Sequence, residues 1–190
     1  NHAQDYGVKV GGQAEIDFNA VVKRSRSVAD GMSKGVQFLM KKNKIEVLNG
    51  FGKLKSAGNV EVKDAAGNIS TIEGKHIIVA TGARSRELPN LKIDGKKIIG
   101  YREAMTLPEQ PKTMVVVGSG AIGSEFAYFY QAIGTKVTLV ELLPNIVPLE
   151  DEDVSRQLER SFKKMGMDVY TSSSVESVDT QGSKCVAKVK

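Results

Sequence analysis

Three glycines and one acid in the second half of the chain have the types and spacing needed to hold a phosphate group and a sugar. Gly118, Gly120 and Gly123 form the pattern G-x-G-x-x-G, and Glu141 lies 21 positions after Gly120. The first glycine of such a loop allows a sharp turn, the second allows close approach to a pyrophosphate, and the third allows tight helix packing. An acid about 20 residues further on accepts hydrogen bonds from ribose hydroxyls. The pattern predicts a dinucleotide site in which residues 118–123 hold the pyrophosphate and Glu141 holds the adenosine ribose.

The residues that follow Glu141 favour NAD over NADP. A 2′-phosphate on the ribose would face the carboxylate of Glu141, and no Lys or Arg lies between Glu141 and Arg156 to neutralise it. Both oxygens of the carboxylate can instead accept hydrogen bonds from the two ribose hydroxyls.

The hydrophobic pattern supplies the elements that this site requires. Residues 114–117 form a continuous apolar run typical of a buried strand, and an amphipathic helix follows the glycine loop and ends at Gly134. A second apolar strand, residues 137–140, leads directly to Glu141. This order of strand, loop, helix, strand and acid is much more specific than the glycine pattern alone.

The rest of the chain predicts further helices, strands and turns. The predicted elements are a helix over 17–43 capped by Asp17, a strand over 45–48, a turn over 49–52, an antiparallel meander over 60–72, a buried parallel strand over 76–80 that stops at Thr81, a helix from Asp151 or Asp153 to Gly166, a strand at 169–170 and a hairpin over 175–189. Residues 85–111 contain three prolines and little periodicity, which indicates a connection with a domain boundary near Pro111.

Composition and charge exclude several other classes of protein. The 190 residues are 41% hydrophobic and 26% charged, as in ordinary globular proteins, and no apolar run is long enough for a membrane span. The net charge of +5 is spread along the chain, and the basic helix face lacks interleaved aromatic residues, which disfavours nucleic-acid binding. Cys185 is the single cysteine, so no internal disulfide or zinc cluster is possible, and a cytoplasmic location is expected. The acids at 150–153 fit a first helical turn, and we expect no metal site.

The two halves of the chain predict the same order of elements. Helix, strand, meander and final strand up to Gly82 are matched by the helix, strand and hairpin after Glu152. We therefore expect an α/β chain with tandem Rossmann-like domains, parallel sheets and small antiparallel meanders, both domains being incomplete. Residues 1–110 would be the back of the first domain plus a linker, and residues 111–190 the front of the second. The start on Asn1 and an end inside a hairpin predict an internal fragment.

The glycine loop, together with the segments 79–83 and 49–53, resembles the pyridine nucleotide-disulfide oxidoreductases, flavoproteins with FAD and NAD(P) domains. The resemblance covers essentially all 190 residues and implies both FAD and NAD as cofactors. It assigns NAD to the residues of the glycine loop, to Glu125 near the nicotinamide and flavin, to Glu141, and to Val175 against the adenine. The NAD loop residues are Gly118, Ser119, Gly120, Ala121, Ile122 and Gly123, and the FAD residues are Gly52, Thr81, Gly82 and Ala83.

The resemblance also implies an activity for the longer protein. Members of the family that oxidise the dihydrolipoyl groups of 2-oxo acid dehydrogenase complexes pass electrons through a redox disulfide and FAD to NAD, as homodimers. Cys185 does not match their redox motif, and their catalytic base would lie beyond Lys190, so no catalytic residue is assigned here and the chain alone is expected to be inactive. Two alternatives stay open: an NADH-dependent flavoprotein of the coenzyme A disulfide reductase or NADH oxidase type, and a non-catalytic NAD-sensing module. An NADPH enzyme is disfavoured by Glu141.

Overall fold

The computed structural model describes residues 15–182 and 184–190 and shows a mixed α/β chain. The helices are α1 (Phe18–Lys42), α2 (Tyr101–Ala104), α3 (Ala121–Ala132) and α4 (Glu152–Lys164). The strands are β1 (Phe51–Ser56), β2 (Asn59–Lys63), β3 (Ile69–Glu73), β4 (Thr113–Val117), β5 (Lys136–Val140), β6 (Asp168–Tyr170), β7 (Val175–Asp179) and β8 (Val186–Val189).

A parallel three-stranded sheet forms the centre of the second half of the chain. Its strand order is β4-β5-β6, with Val117 opposite Val140 and Val140 opposite Tyr170. The helices α3 and α4 connect successive strands, as parallel pairing requires, because the chain must cross back before it can pair again. The predicted order of strand, glycine loop, helix and strand is confirmed, and the Rossmann-like class of the fold is confirmed with it.

The hydrophobic core lies between this sheet and its helices. Tyr130 of α3 is completely buried, and its hydroxyl donates a hydrogen bond to the carbonyl of Ala104 at 2.6 Å. Phe18 at the start of α1 contacts the Tyr130 ring, with 6.2 Å between the ring centroids. The buried members of this core are Phe18, Ala127, Tyr130, Val137, Leu139, Ile146, Val147, Phe162 and Met167.

The ends of the helices follow the signals in the sequence. Asp17 accepts a hydrogen bond from the N–H of Ala20, and Asp151 caps α4 by accepting one from the N–H of Asp153 at 2.8 Å. Gly134 and Gly166 follow α3 and α4 with φ angles of +101° and +85°, a conformation that glycine adopts without steric cost. These helix predictions are confirmed to within a residue or two.

The first half of the chain contains the predicted antiparallel meander. The order is β1-β2-β3, and Asp64 closes the turn between β2 and β3 by accepting a hydrogen bond from the N–H of Asn68 at 2.8 Å. Burial is slight, because among the described residues of 24–84 no side chain is buried.

Three predictions for this half are wrong. Residues 76–80 form no strand, and Ile78 and Val79 are 90% and 72% exposed. Residues 45–48 also form no strand, and the predicted turn at 49–52 instead leads into β1, which begins at Phe51. A strand requires a neighbour for its backbone hydrogen bonds. Among the described residues neither apolar run has one, so residues 45–48 and 76–80 do not contribute the parallel strands expected in the first domain.

The contacts divide the chain into two compact units. One contains residues 1–23 and 85–190, and the other contains residues 24–84. The predicted connection over 85–111 includes α2 and a single bridge between Leu88 and Leu91. The domain boundary near Pro111 stays a prediction. Within the described part of the chain, no helix combines the length and hydropathy needed to cross a membrane.

Candidate functional site: the glycine loop and Glu141

The glycine loop joins β4 to α3 by a turn that only glycine adopts easily. Gly118 has a φ of +93°, and its N–H donates a hydrogen bond to the carbonyl of Val140 on the neighbouring strand at 2.8 Å. Since Val140 immediately precedes Glu141, this bond fixes the start of the loop beside the strand end that carries the acid.

The third glycine is required by packing. A Cβ atom at Gly123 would lie 2.0 Å from the carbonyl oxygen of Gly118 and 3.6 Å from the Cγ1 atom of Val116. The first of these atoms is backbone and cannot rotate away, so any side chain at position 123 would force α3 away from β4. The predicted role of Gly123 in helix packing agrees with this geometry.

Neither the backbone conformation nor the packing of the protein requires a glycine at the second position of the pattern, Gly120. Gly120 is the N-cap of α3 with φ −60° and ψ 177°, angles that any residue can adopt. A Cβ atom at this position would meet no atom within 4 Å among the described residues, apart from its neighbours in the chain. The space beside Gly120 is therefore open for a bound group to approach the backbone.

The start of α3 offers hydrogen-bond donors to this open space. The N–H of Ser124 is the first to bond within the helix, to the carbonyl of Gly120 at 2.9 Å. The N–H groups of the preceding residues 121–123 have no partner inside the helix, as at every helix start, and they lie at the positive end of the helix dipole. A phosphate group is well matched to such a position.

Glu141 is buried against the glycine loop. It is 7% exposed, and its Oε2 atom accepts hydrogen bonds from the N–H and from the hydroxyl of Ser119, both at 2.7 Å. Its Oε1 atom accepts one from the N–H of Leu143 at 2.9 Å. Burial alone would raise the pKa of Glu141, but the hydrogen bonds from Leu143 and Ser119 outweigh burial, and the pKa lies below its ordinary value. The carboxylate of Glu141 can therefore accept a further hydrogen bond on its Oε1 atom.

The loop after Glu141 also forms a hydrogen bond with the glycine loop. The N–H of Val147 donates to the carbonyl of Ser119 at 3.0 Å, and the hydroxyl of Ser124 donates to the same carbonyl at 2.9 Å. Val147 has a φ of +41°, which is unusual for a β-branched residue and indicates local strain. The sequence predicted Ser119 only as part of the loop, and no pattern indicated Val147 or the hydroxyl bond to Glu141.

Two other residues predicted to contact NAD lie in contrasting surroundings. Glu125 is exposed on the first turns of α3. Val175 is 6% exposed at the start of β7, in a small cluster with Leu91 and Val140. The structure thus brings Ser119 and Glu141 into contact and places Val175 against Val140, the last residue of β5, which precedes Glu141.

The residues predicted to contact FAD lie in the other compact unit, 24–84. Gly52 is in β1 opposite Val62, and residues 81–83 lie in an exposed segment without helix or strand, where Gly82 has a φ of +74°. Their assignment to FAD stays a prediction. In the described ranges, no group of three or more His, Cys, Asp or Glu side chains is arranged to hold a metal ion.

The parallel sheet, the glycine loop at the start of α3 and the acid after β5 define the class of the unit: a Rossmann-type dinucleotide-binding fold. Residues 6–190 match the pyridine nucleotide-disulphide oxidoreductase family, and the chain belongs to that family. Enzymes of this family depend on FAD and NAD.

Three proteins that are similar to this chain are all larger than it is. A dihydrolipoyl dehydrogenase of Chlorobaculum tepidum is 47% identical over 175 residues, which cover 92% of this chain and 37% of the relative. A dihydrolipoyl dehydrogenase of Rhizobium etli is 40% identical over 205 aligned positions, which cover 100% of this chain and 42% of the relative. The crystal structure of LpdA from Mycobacterium tuberculosis superposes with a TM-score of 0.84 at 28% identity, over 94% of this chain and 40% of LpdA. The chain therefore spans about two fifths of the length of these relatives.

Proposed function

We propose that the full-length protein is a dihydrolipoyl dehydrogenase that uses FAD and NAD. It oxidises the dihydrolipoyl groups of 2-oxo acid dehydrogenase complexes, forming a disulfide bond in the lipoyl group. Two electrons and two protons leave the dithiol, NAD⁺ takes up a hydride, and one proton is released. FAD, when bound, relays the electron pair between a redox disulfide and NAD. The names and identities of the relatives support this activity.

The contribution of this chain is an NAD site, and one observation carries that assignment. The carboxylate of Glu141 is held against Ser119, in the same loop that opens into the start of α3. A dinucleotide with its pyrophosphate at residues 120–123 would extend its adenosine ribose toward this carboxylate. The Oε1 atom accepts a hydrogen bond from the N–H of Leu143, and since a carboxylate oxygen can accept more than one hydrogen bond, a ribose hydroxyl can bond there as well.

Membership of the family supports the remaining roles in this proposal. Glu125 lies near the nicotinamide, Val175 contacts the adenine, and residues 52 and 81–83 approach FAD. Residues 1–110 belong to the FAD domain and its linker, and residues 111–190 belong to the NAD domain. The full-length protein acts as a cytoplasmic homodimer.

Substitution of Gly120 by Ala tests the NAD site without disturbing the fold. The added methyl group meets no protein atom but enters the space of the pyrophosphate. The full-length Gly120→Ala protein should bind NADH about five- to 150-fold more weakly than wild type in a fluorescence titration, because overpacking of this kind costs about 1–3 kcal/mol.

The thermal unfolding midpoint is the control for this variant and should be unchanged. Wild type should also bind NADH more tightly than NADPH. Equal affinity of wild type for NADH and NADPH, or wild-type NADH affinity in Gly120→Ala, would contradict the proposed site.

A further inference from the structure

Asn90, in the segment between the two predicted domains, binds the backbone of the strand that carries Val175. Its side-chain Nδ2 atom donates hydrogen bonds to the carbonyl oxygens of Val175, at 2.9 Å, and of Glu176, at 2.8 Å. The residues are 85 and 86 positions apart in the chain. Both N–H bonds of one amide group are thus directed at two successive carbonyls of β7.

These two carbonyls lie at an irregular point of the β7–β8 hairpin. Ser174 and Lys190 exchange both backbone hydrogen bonds, so the next pair, Val175 and Val189, is a pair without hydrogen bonds between its members. The register then shifts between Val175 and Ser177, which marks a bulge. A bulge interrupts the ladder and changes the direction of the side chains around it. The two bonds from Asn90 therefore act on the strand where its own ladder is interrupted.

The neighbour of Asn90 fixes the side chain of the same strand residue. Leu91 is 8% exposed and packs with Val140 and Val175, which are 1% and 6% exposed. Val140 is the last residue of β5 and precedes Glu141. Asn90 and Leu91 together hold the backbone and the side chain of Val175 at the end of the strand that carries the acid.

We infer that Asn90 is a positioning residue for the adenosine half of NAD. It sets the position of Val175 relative to Glu141, so that the adenine contact and the ribose contact lie at the separation that the ligand requires. This inference rests on the proposed NAD site. It assigns to the segment over 85–100 a role in cofactor affinity in addition to its role as a connection.

A second anchor of the same segment provides a matched control. The ammonium group of Lys97 donates to the carbonyls of Thr180, at 2.5 Å, and Gly182, at 2.6 Å, in the turn of the same hairpin. Lys97 therefore binds the hairpin as Asn90 does, with one side chain on two carbonyls, but at the end remote from Val175. Removal of the Lys97 side chain loosens the turn of the hairpin without acting on the start of β7.

The experiment compares Asn90→Ala, Asn90→Asp and Lys97→Met in the full-length protein. Asn90→Asp keeps the size of the side chain but places oxygens opposite the two carbonyls. Loss of these bonds should weaken binding of ADP-ribose and raise the KM for NAD about fivefold or more. The kcat at saturating NAD and the inhibition constant of nicotinamide mononucleotide should stay at wild-type values. Lys97→Met should change none of the four quantities.

The possible results separate the inference from the proposed function. If wild type binds neither NADH nor ADP-ribose, the proposed NAD site fails, and the inference fails with it. If wild type binds both and the Asn90 variants bind ADP-ribose like wild type, only the inference is overturned. It is also overturned if Asn90→Asp behaves as wild type while Asn90→Ala does not, or if Lys97→Met weakens ADP-ribose binding as much as the Asn90 variants.

Discussion

Glu141 is held as an anion by hydrogen bonds from its own chain, two from Ser119 and one from Leu143, with a smaller contribution from the backbone of Leu142. An ionised carboxylate only accepts hydrogen bonds, so its free lone pair suits a hydroxyl and repels a phosphate. The proposed preference for NAD over NADP thus depends on a charge that the loop itself stabilises. The lowered pKa of Glu141 keeps this charge through the whole neutral range.

Replacement of Glu141 by Gln should therefore reduce stability in a pH-dependent way. The amide would place N–H groups opposite the donors of Ser119 or Leu143, which should cost about 1–3 kcal/mol at pH 7. The pKa of Glu141 is lower in the folded than in the unfolded state, so its stabilisation is present above the unfolded value of about 4.3. It is lost as the pH falls through the lower folded value. Thermal unfolding of the full-length protein between about pH 3 and 8 measures this difference.

The control for this comparison is Glu125→Gln, which removes an exposed acid from α3. Its effect on stability should stay within about 0.5 kcal/mol at every pH. A constant difference between wild type and Glu141→Gln down to the lowest pH would contradict the account of Glu141 as a stabilised anion.

At the scale of single residues, the sequence predicted where a functional residue lies better than it predicted which residues form hydrogen bonds with it. The spacing of about 20 residues places an acid at the strand end, and Glu141 lies there. Its hydrogen bond from the hydroxyl of Ser119 depends on how the loop closes in space, which no local pattern encodes. The contact of Asn90 with Val175 joins residues 85 positions apart, and an asparagine beside a proline indicates only a turn.

At the scale of elements, local sequence patterns predicted a helix or strand correctly where the element that it packs against lies close in the chain. β4, the glycine loop, α3 and β5 follow each other and pack on each other, so periodicity and glycine positions were sufficient. Residues 76–80 have an equally apolar pattern but form no strand, because apolar character does not provide a neighbouring strand. The long α1 was predicted correctly from its period, yet Met32 and Val36 on its apolar side are 70% and 54% exposed.

The same substitution should have opposite effects in two helices. Gly123→Ala in α3 introduces a Cβ atom 2.0 Å from the carbonyl oxygen of Gly118, so it should destabilise the protein by about 1–3 kcal/mol and abolish NADH binding. Gly31→Ala in α1 meets no atom within 4 Å and should stabilise its helix by about 0.5–1 kcal/mol. Thermal unfolding and circular dichroism of the 190-residue chain measure both changes in stability. A stabilising Gly123→Ala would show that the loop is less tightly closed than the structure indicates.

At the scale of the whole molecule, the two compact units differ in how much they bury. The unit that contains residues 85–190 holds the described hydrophobic core around Tyr130 and Leu139. Among the described residues of the unit 24–84, none is buried, and Phe51 and Ile69 are 74% and 61% exposed. Since burial of apolar surface is the main source of stability, the unit that contains residues 85–190 should be the more stable of the two.

The whole-molecule argument leads to a prediction about the 190-residue chain itself. Oxidation of dihydrolipoamide by way of an enzyme disulfide requires two thiols that can pair, and the chain contains Cys185 alone. Cys185 is exposed beside β8, in the unit whose assigned task is to bind NAD. The chain supplied with dihydrolipoamide, FAD and NAD⁺ should therefore form no NADH above the rate without protein, measured by absorbance. Cys185→Ser should give the same result, while the full-length protein should turn over. Turnover by the chain alone that disappears in Cys185→Ser would show that a single thiol suffices, and the role assigned here to a redox disulfide would be wrong.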